Sequence, residues 1–107
     1  MDYAAFDFYS QAPDRAVEKS ITSSDYGVFL RELRAARERS GLSQVDLAAR
    51  LGETQSFISK CERGERRLDV MELRAFCRAI GVSLFAFVQR LERSLTAEAH
   101  VGARRRR

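Results

Sequence analysis

The chain is poor in the residues that build metal sites, disulfide frameworks and acid–base centres. Its 107 residues include two cysteines and one histidine. Cys61 and Cys77 both fall on apolar faces of predicted helices, and the sequence contains no CxxC motif or His-Cys cluster. We therefore expect buried, reduced thiols rather than a disulfide or a metal site. His100 lies near the end of the chain, so metal or acid–base catalysis has no support, and we expect no metal and no cofactor.

Long apolar segments are also missing. No apolar run approaches the roughly 20 residues that a membrane-spanning helix needs. The opening sequence MDYAAFDFYS lacks the basic start and the long apolar stretch of a signal peptide. We therefore expect a cytoplasmic protein without a membrane partner. A single proline and a hydrophobic content of 45% favour one folded domain with a small core over extensive disorder.

Charge is distributed unevenly along the chain. The net charge is −3 over residues 1–25, +4 over residues 26–95 and +3 over residues 96–107, which gives +4 in total. A basic body suits a polyanionic partner such as nucleic acid. An excess of this size also serves simple solubility, and charge alone does not separate the two explanations.

Apolar residues recur at helical spacing in five segments, and residues 26–95 show no strand-like alternation. The pattern predicts helices over about 26–40, 43–51, 54–63, 69–80 and 83–95, each bounded by a capping residue or a glycine. The predicted fold class is all-α. We place the domain at residues 25–95, preceded by an N-terminal arm at 1–24 and followed by a basic C-terminal tail at 96–107.

The two short central helices carry the most information about function. Ser43 and Asp46 form an approximate capping box, Gly52 stands where a left-handed residue ends a helix, and Thr54 begins the next helix. Two short helices joined in this way are typical of a helix-turn-helix, whose second helix enters the DNA major groove. The alternative is a plain αα-hairpin. The outward positions of the second helix favour DNA binding, because they are polar and none is acidic: Thr54, Gln55, Ser56, Ser59, Lys60 and Arg63.

The central segment resembles the Xre/phage-repressor family of lambda-repressor-like, Cro/C1-type helix-turn-helix proteins. The matching positions are Ser43, Gln44, Leu47, Ala48, Gly52, Ile58, Ser59, Glu62 and Gly64. The resemblance covers about residues 26–92 and implies a five-helix domain. Leu68 departs from the pattern, since many relatives have proline there, so the entry to the fourth helix is less firmly marked.

The resemblance implies a recognition helix at about residues 54–63. Gln55, Ser56 and Lys60 would contact bases, because Gln can bond adenine N6 and N7 while Lys can donate to guanine O6 or N7. Gln44 would bind a phosphate and brace the recognition helix. Further expected contacts to the DNA backbone are Ser43, Thr54, Ser59, Arg63, Arg66 and Arg67.

The family also places an arginine–glutamate ion pair at Arg37 and Glu62, tying the first helix to the third behind the DNA surface. Two separately solvated charges are the alternative. Because one recognition helix reads only a few base pairs, we further expect a homodimer on a palindromic site. Phe87 and Leu91 on the fifth helix are the predicted interface, and the alternative is that Phe87 completes the core.

The two ends lie outside the resemblance. The acidic arm at 1–24 contains Tyr3, Phe6, Phe8 and Tyr9, and we interpret it either as disordered or as docking on the domain or on a protein partner. The Arg104–Arg107 run either grips phosphates or remains solvated. The sequence thus predicts a DNA-binding transcriptional regulator and not an enzyme. The alternatives are the antitoxin of a toxin–antitoxin pair and a helical protein-interaction module.

Overall fold

The computed structural model describes residues 24–105, and side chains up to residue 99. Over that range the chain forms five α-helices and no strand. The helices are α1 Ser24–Arg39, α2 Gln44–Leu51, α3 Gln55–Glu62, α4 Val70–Ile80 and α5 Leu84–Arg105. The predicted all-α, five-helix fold is confirmed. The aromatic residues of the N-terminal arm and the end of the arginine run lie outside the described residues.

Local capping chemistry sets where the middle helices begin. The hydroxyl of Ser43 accepts a bond from the backbone of Asp46 at 3.0 Å, and the Asp46 carboxylate accepts one from Ser43 N at 2.9 Å. Asp69 and Glu72 form the same reciprocal box at the start of α4. Thr54 caps α3 with its side-chain oxygen. Each cap satisfies backbone N–H groups that have no partner inside the helix.

Left-handed glycines follow four of the helices, at Gly41, Gly52, Gly64 and Gly81. Gly52 closes α2 at φ 67°, which is the conformation that a side chain disfavours. Gly64 follows α3 at φ 79°, and a Cβ atom there would lie 2.9 Å from Leu30 Cδ1 on α1. Gly64 therefore serves both the turn and the close approach of the chain to α1.

One hydrophobic core joins the five helices. α2 packs on α3 and α4, α1 packs on α3 and α5, and α4 packs on α5. The buried core residues are Leu33, Ala36, Leu47, Ala48, Ile58, Cys61, Leu73, Phe76, Cys77, Ile80 and Phe87. This arrangement holds α2 and α3 at a fixed angle, because both bury side chains in the same core.

Phe87 belongs to this core, so the prediction that it forms a dimer interface is wrong. It is 3% exposed, and its ring meets Phe29 of α1 edge-on at 5.9 Å. Leu91 is partly buried against the same core. Among the described side chains of α5, the large apolar ones that remain exposed are Phe85, at 72%, and Val88, at 44%. α5 does carry more large apolar residues than the core takes up, but the exposed ones lie on a different side of the helix from Phe87.

α5 does not end near residue 95, where the sequence pattern predicts its end. The helix continues to Arg105, since no proline follows Leu95 to stop it. Two contacts join this end of α5 to α1, one just before residue 95 and one in the extension. Ser94 Oγ donates to Glu32 Oε1 at 2.7 Å, and the exposed pair of Arg31 and Glu98 lies at 2.8 Å.

Both cysteines are free and buried, as predicted. Burial raises the pKa of Cys77 to about 11, and it also raises the pKa of Cys61. Since the thiolate is the reactive form, these positions favour inert, packed thiols. Within residues 24–105 no helix combines the length and apolar character that crossing a bilayer requires.

Candidate nucleic-acid interface

α3 presents three exposed polar side chains, Gln55, Ser56 and Lys60, which we call the recognition face. Gln55 and Ser56 stand in the first turn of α3, directly after the Thr54 cap, and Lys60 follows one turn later. Ile58 of the same helix is fully buried in the core. The core thus fixes the helix while the recognition face remains open to a ligand.

The two hydroxyl groups predicted to contact phosphates also cap helices. Ser43 Oγ and Thr54 Oγ1 each accept one backbone N–H bond, at 3.0 and 3.1 Å. Each of these bonds uses a lone pair of the hydroxyl oxygen, so the O–H group can still donate to a phosphate oxygen. The backbone and side chain of Ser43 lower the pKa of the Asp46 carboxyl, which keeps an anion at the start of α2.

Gln44 connects the recognition face to the interior of the domain. Its Nε2 donates to Glu62 Oε1 at 3.0 Å, and its Oε1 accepts from Gln55 Nε2 at 2.6 Å. Gln44 is half-buried, whereas Gln55 is exposed. The two glutamines, predicted separately as a phosphate contact and a base contact, are therefore in direct contact.

Arg37 and Glu62 form a paired, buried contact between α1 and α3. Arg37 Nε donates to Glu62 Oε2 at 2.6 Å, and Arg37 Nη2 donates to Oε1 at 3.0 Å. Their side chains are only 8% and 4% exposed. The bond to Glu62 is the main cause of the raised pKa of Arg37. Arg37 Nη1 also donates to the Leu42 carbonyl at 2.8 Å, so the guanidinium ties α1 to the loop before α2.

The arginines predicted to contact the DNA backbone have protein partners. Arg63 pairs with Glu65 at 2.6 Å and also contacts the hydroxyl of Ser59. Arg66 pairs with Glu72 at 2.7 Å. These pairs are exposed or partly exposed, and a phosphate must compete with the carboxylate for each guanidinium.

Aromatic rings further position two of these cations. The guanidinium of Arg66 lies 5.3 Å from the centre of the Phe57 ring, and that of Arg67 lies 4.9 Å from the Tyr26 ring. Cation–π contacts of this kind hold the guanidinium groups against the domain surface. Lys60 differs, because its exposed ammonium has no ion-pair partner among the described residues.

The sequence pattern does not indicate several partners of the site residues. The Glu72 carboxylate belongs to the capping box of α4 but also binds Arg66, and this bond lowers the pKa of Glu72. Glu65 has no predicted role, although it follows Arg63 closely. The carbonyl of Leu42 carried no signal, because every residue has one. In the described part of the chain, no three His, Cys, Asp or Glu side chains group as metal ligands would.

The chain is similar to known helix-turn-helix proteins in sequence and in fold. A family model described as a helix-turn-helix domain matches residues 28–84, a range that contains the whole recognition face. An XRE-family like protein from Pseudomonas syringae pv. tomato str. DC3000 is similar in structure, with a TM-score of 0.64 and 47% sequence identity, over 71% of this chain and 93% of that chain. No curated protein matches the chain.

Proposed function

The chain belongs to the Xre-type helix-turn-helix family of DNA-binding proteins, and from this premise we propose that it is a sequence-specific transcriptional regulator. In this proposal α3 lies in the major groove and the recognition face contacts base edges. The activity is binding rather than catalysis. Double-stranded DNA is the partner, which is consistent with the cytoplasmic location expected from the sequence.

The observation that carries the proposal is the placement of Gln55. It is exposed in the first turn of α3, and Gln44 holds its amide at 2.6 Å. A fixed amide at the start of a recognition helix suits base readout, because less side-chain freedom is lost when a base is bound. Lys60, one turn further along, supplies donors for guanine or for phosphate.

Affinity and selectivity would come from different groups. The hydroxyls of Ser43 and Thr54 stand at the starts of α2 and α3, and several guanidinium groups follow α3. These groups suit phosphate contacts. Phosphate contacts carry no sequence information directly, whereas base contacts do. We therefore assign selectivity to the recognition face and general affinity to the phosphate contacts.

Selection of bound sequences from a random DNA pool tests this assignment. For Gln55→Ala or Lys60→Ala, we expect a loss of about 1–3 kcal/mol on the preferred site and relaxed preference at particular positions. Arg66→Ala should weaken all sequences similarly. Arg93→Ala is the control for charge, because it removes one exposed cation from α5, outside the proposed interface. Selected motifs that stay unchanged for both Gln55→Ala and Lys60→Ala would exclude α3 as the reader.

We further propose that two copies act together on a palindromic site. One recognition helix covers few base pairs, and a two-fold pair places two such helices about 34–36 Å apart, one turn of DNA. The support for a self-association surface is the exposed apolar pair on α5. Phe85 and Val88 are three residues apart, which puts them on neighbouring positions of one helix face.

A further inference from the structure

Three side chains link the buried ion pair to the recognition face in an unbroken chain of hydrogen bonds. Glu62 accepts from Gln44, and Gln44 accepts from Gln55. We propose that Glu62 is a positioning residue for base selectivity: its carboxylate fixes which end of the Gln55 amide faces the DNA, and so makes adenine the preferred base there. This inference rests on the proposed function, since it assumes that Gln55 contacts a base.

Glu62 sets the donor-to-acceptor direction of this series of hydrogen bonds. A carboxylate paired with an arginine has only acceptors to offer. Both of its oxygens already accept from Arg37, and Oε1 also faces Gln44. A glutamine amide has a donor end and an acceptor end, so only its NH₂ group can satisfy Glu62. Gln44 must therefore turn its Nε2 inward and its Oε1 toward α3.

The same restriction passes to Gln55. The outward oxygen of Gln44 is an acceptor, so Gln55 must present an N–H to it, as the 2.6 Å contact shows. Reversing the Gln55 amide would bring two oxygens together at that distance. What remains of the Gln55 amide for a ligand is one N–H donor and the Oε1 acceptor.

That remaining pair distinguishes the purines. In the major groove adenine offers the N7 acceptor beside the N6 donor, whereas guanine offers two acceptors, N7 and O6. One donor and one acceptor match adenine, and a reversed amide with two free N–H groups would match guanine. Glu62 does not touch the DNA in this scheme, yet it selects between the two bases.

Gln44→Lys tests the donor-to-acceptor direction of the hydrogen bonds between Gln55 and Glu62. A lysine ammonium has donors only, so it can bind Glu62 but forces Gln55 to turn its Oε1 inward and both N–H groups outward. We expect wild type to prefer adenine over guanine at the Gln55 position by about tenfold, and Gln44→Lys to reverse the preference toward guanine. The control is Val45→Lys, which adds the same charge at the adjacent, exposed position and should keep the adenine preference.

Glu62→Gln tests whether the carboxylate of Glu62 sets this hydrogen-bond direction. Its amide can offer either a donor or an acceptor to Gln44, so we expect the adenine-to-guanine ratio to fall toward one. Arg37→Lys is the matched control, since it weakens the same ion pair but leaves the carboxylate as an acceptor. That variant should retain the tenfold preference even where its thermal stability falls. Circular dichroism melts set a temperature at which every variant is folded.

Competition binding with duplexes that differ only at the base opposite Gln55 provides the readout. Damage to the fold would weaken both duplexes alike and leave their ratio unchanged. If Gln55→Ala abolishes the adenine preference while Gln44→Lys and Glu62→Gln keep it, the inference is overturned and the proposed function stands. If wild type selects no sequence, both fail. Gln44 lies near the surface, so its lysine variant remains informative even if Glu62→Gln unfolds.

Discussion

At the scale of single residues, the charged side chains fall into two groups with different energetic roles. Arg37 and Glu62 lie almost wholly inside the protein, where removing one partner leaves an unpaired charge away from water. Arg63 and Glu65 form an equally short pair at the surface, where both side chains are 57% exposed. Solvent screens the surface pair, so its contribution to stability is small.

This contrast predicts unequal effects of two similar substitutions. Glu62→Ala should lower the free energy of unfolding by about 3–5 kcal/mol, because Arg37 would remain buried without its carboxylate. Glu65→Ala should stay within about 0.5 kcal/mol of wild type. Urea unfolding followed by circular dichroism measures both. Equal and small losses would mean that the Arg37–Glu62 pair makes no net contribution to folding.

Cys77 predicts a decline of stability in alkaline solution. Its pKa is about 11 in the folded protein, against an ordinary 9.0. Between these values the unfolded chain releases the thiol proton while the folded chain keeps it, so stability falls as pH rises. The contribution is fully present below pH 9 and is lost toward pH 11. Unfolding measured across that range should show a shallower decline for Cys77→Ala, and identical slopes would contradict the assignment.

At the scale of secondary structure elements, glycines have opposite effects in different places. Gly27 lies inside α1 and is exposed, and an added Cβ would meet nothing within 4 Å. Gly64 follows α3 in the left-handed region, with Leu30 against it. Glycine inside a helix weakens it, whereas glycine in a left-handed turn avoids strain.

We therefore expect Gly27→Ala to stabilise the domain by about 0.5–1 kcal/mol. Gly64→Ala should destabilise it by about 1–2 kcal/mol from the backbone alone, and further because Leu30 must move. Gly52→Ala, at φ 67° with open space around it, isolates the backbone cost. Thermal unfolding of the three variants ranks their stabilities. If Gly64→Ala is no less stable than Gly52→Ala, the contact of the added Cβ with Leu30 has no cost.

How far the sequence predicts the structure depends on whether the determinant is local. Caps at Ser43, Thr54 and Asp69 lie within three residues of the groups that they bind, so the sequence contains both partners and the helix starts follow. The side of α5 that enters the core is not local. Phe87 continues one apolar face and Phe85 another, and only the packing of α5 on α1 decides between them.

The same distinction applies to the site. The exposed positions of the recognition face follow from the helical period alone. The bond from Gln44 to Glu62 joins residues 18 apart on different helices, so it depends on the angle between α2 and α3. The carboxylate partners of Arg63 and Arg66 depend on the path of the loop before α4. The helical period of the sequence predicts neither the angle between α2 and α3 nor the path of that loop.

At the scale of the whole molecule, the unused apolar surface of α5 is the feature that bears on assembly. Phe85 and Val88 are exposed, whereas Leu84, Phe87 and Leu91 of the same helix lie in the core or pack against it. Exposed apolar residues close together mark surfaces for association. A two-fold interface presents the same patch from each copy, so one substitution changes it twice.

The self-association proposal predicts different outcomes for two neighbouring phenylalanines. Phe85→Glu should give folded monomers that bind a full palindrome weakly, because two carboxylates would face an apolar interface. Phe87→Glu should unfold the domain, because it places a charge inside the core. Sedimentation over a concentration series and circular dichroism separate the two effects. A wild-type protein that remains monomeric on palindromic DNA would reject the symmetric arrangement.

The packing of α1 on α5 also has a kinetic consequence. The first and last described helices are joined by Ser94 and Glu32, which are 62 residues apart, whereas α2 and α3 are neighbours along the chain. Bringing distant segments together has an entropic cost that grows with the length of the intervening loop, and such contacts slow folding. We therefore expect α2, α3 and α4 to associate early, with the docking of α5 on α1 as the late event that completes the core.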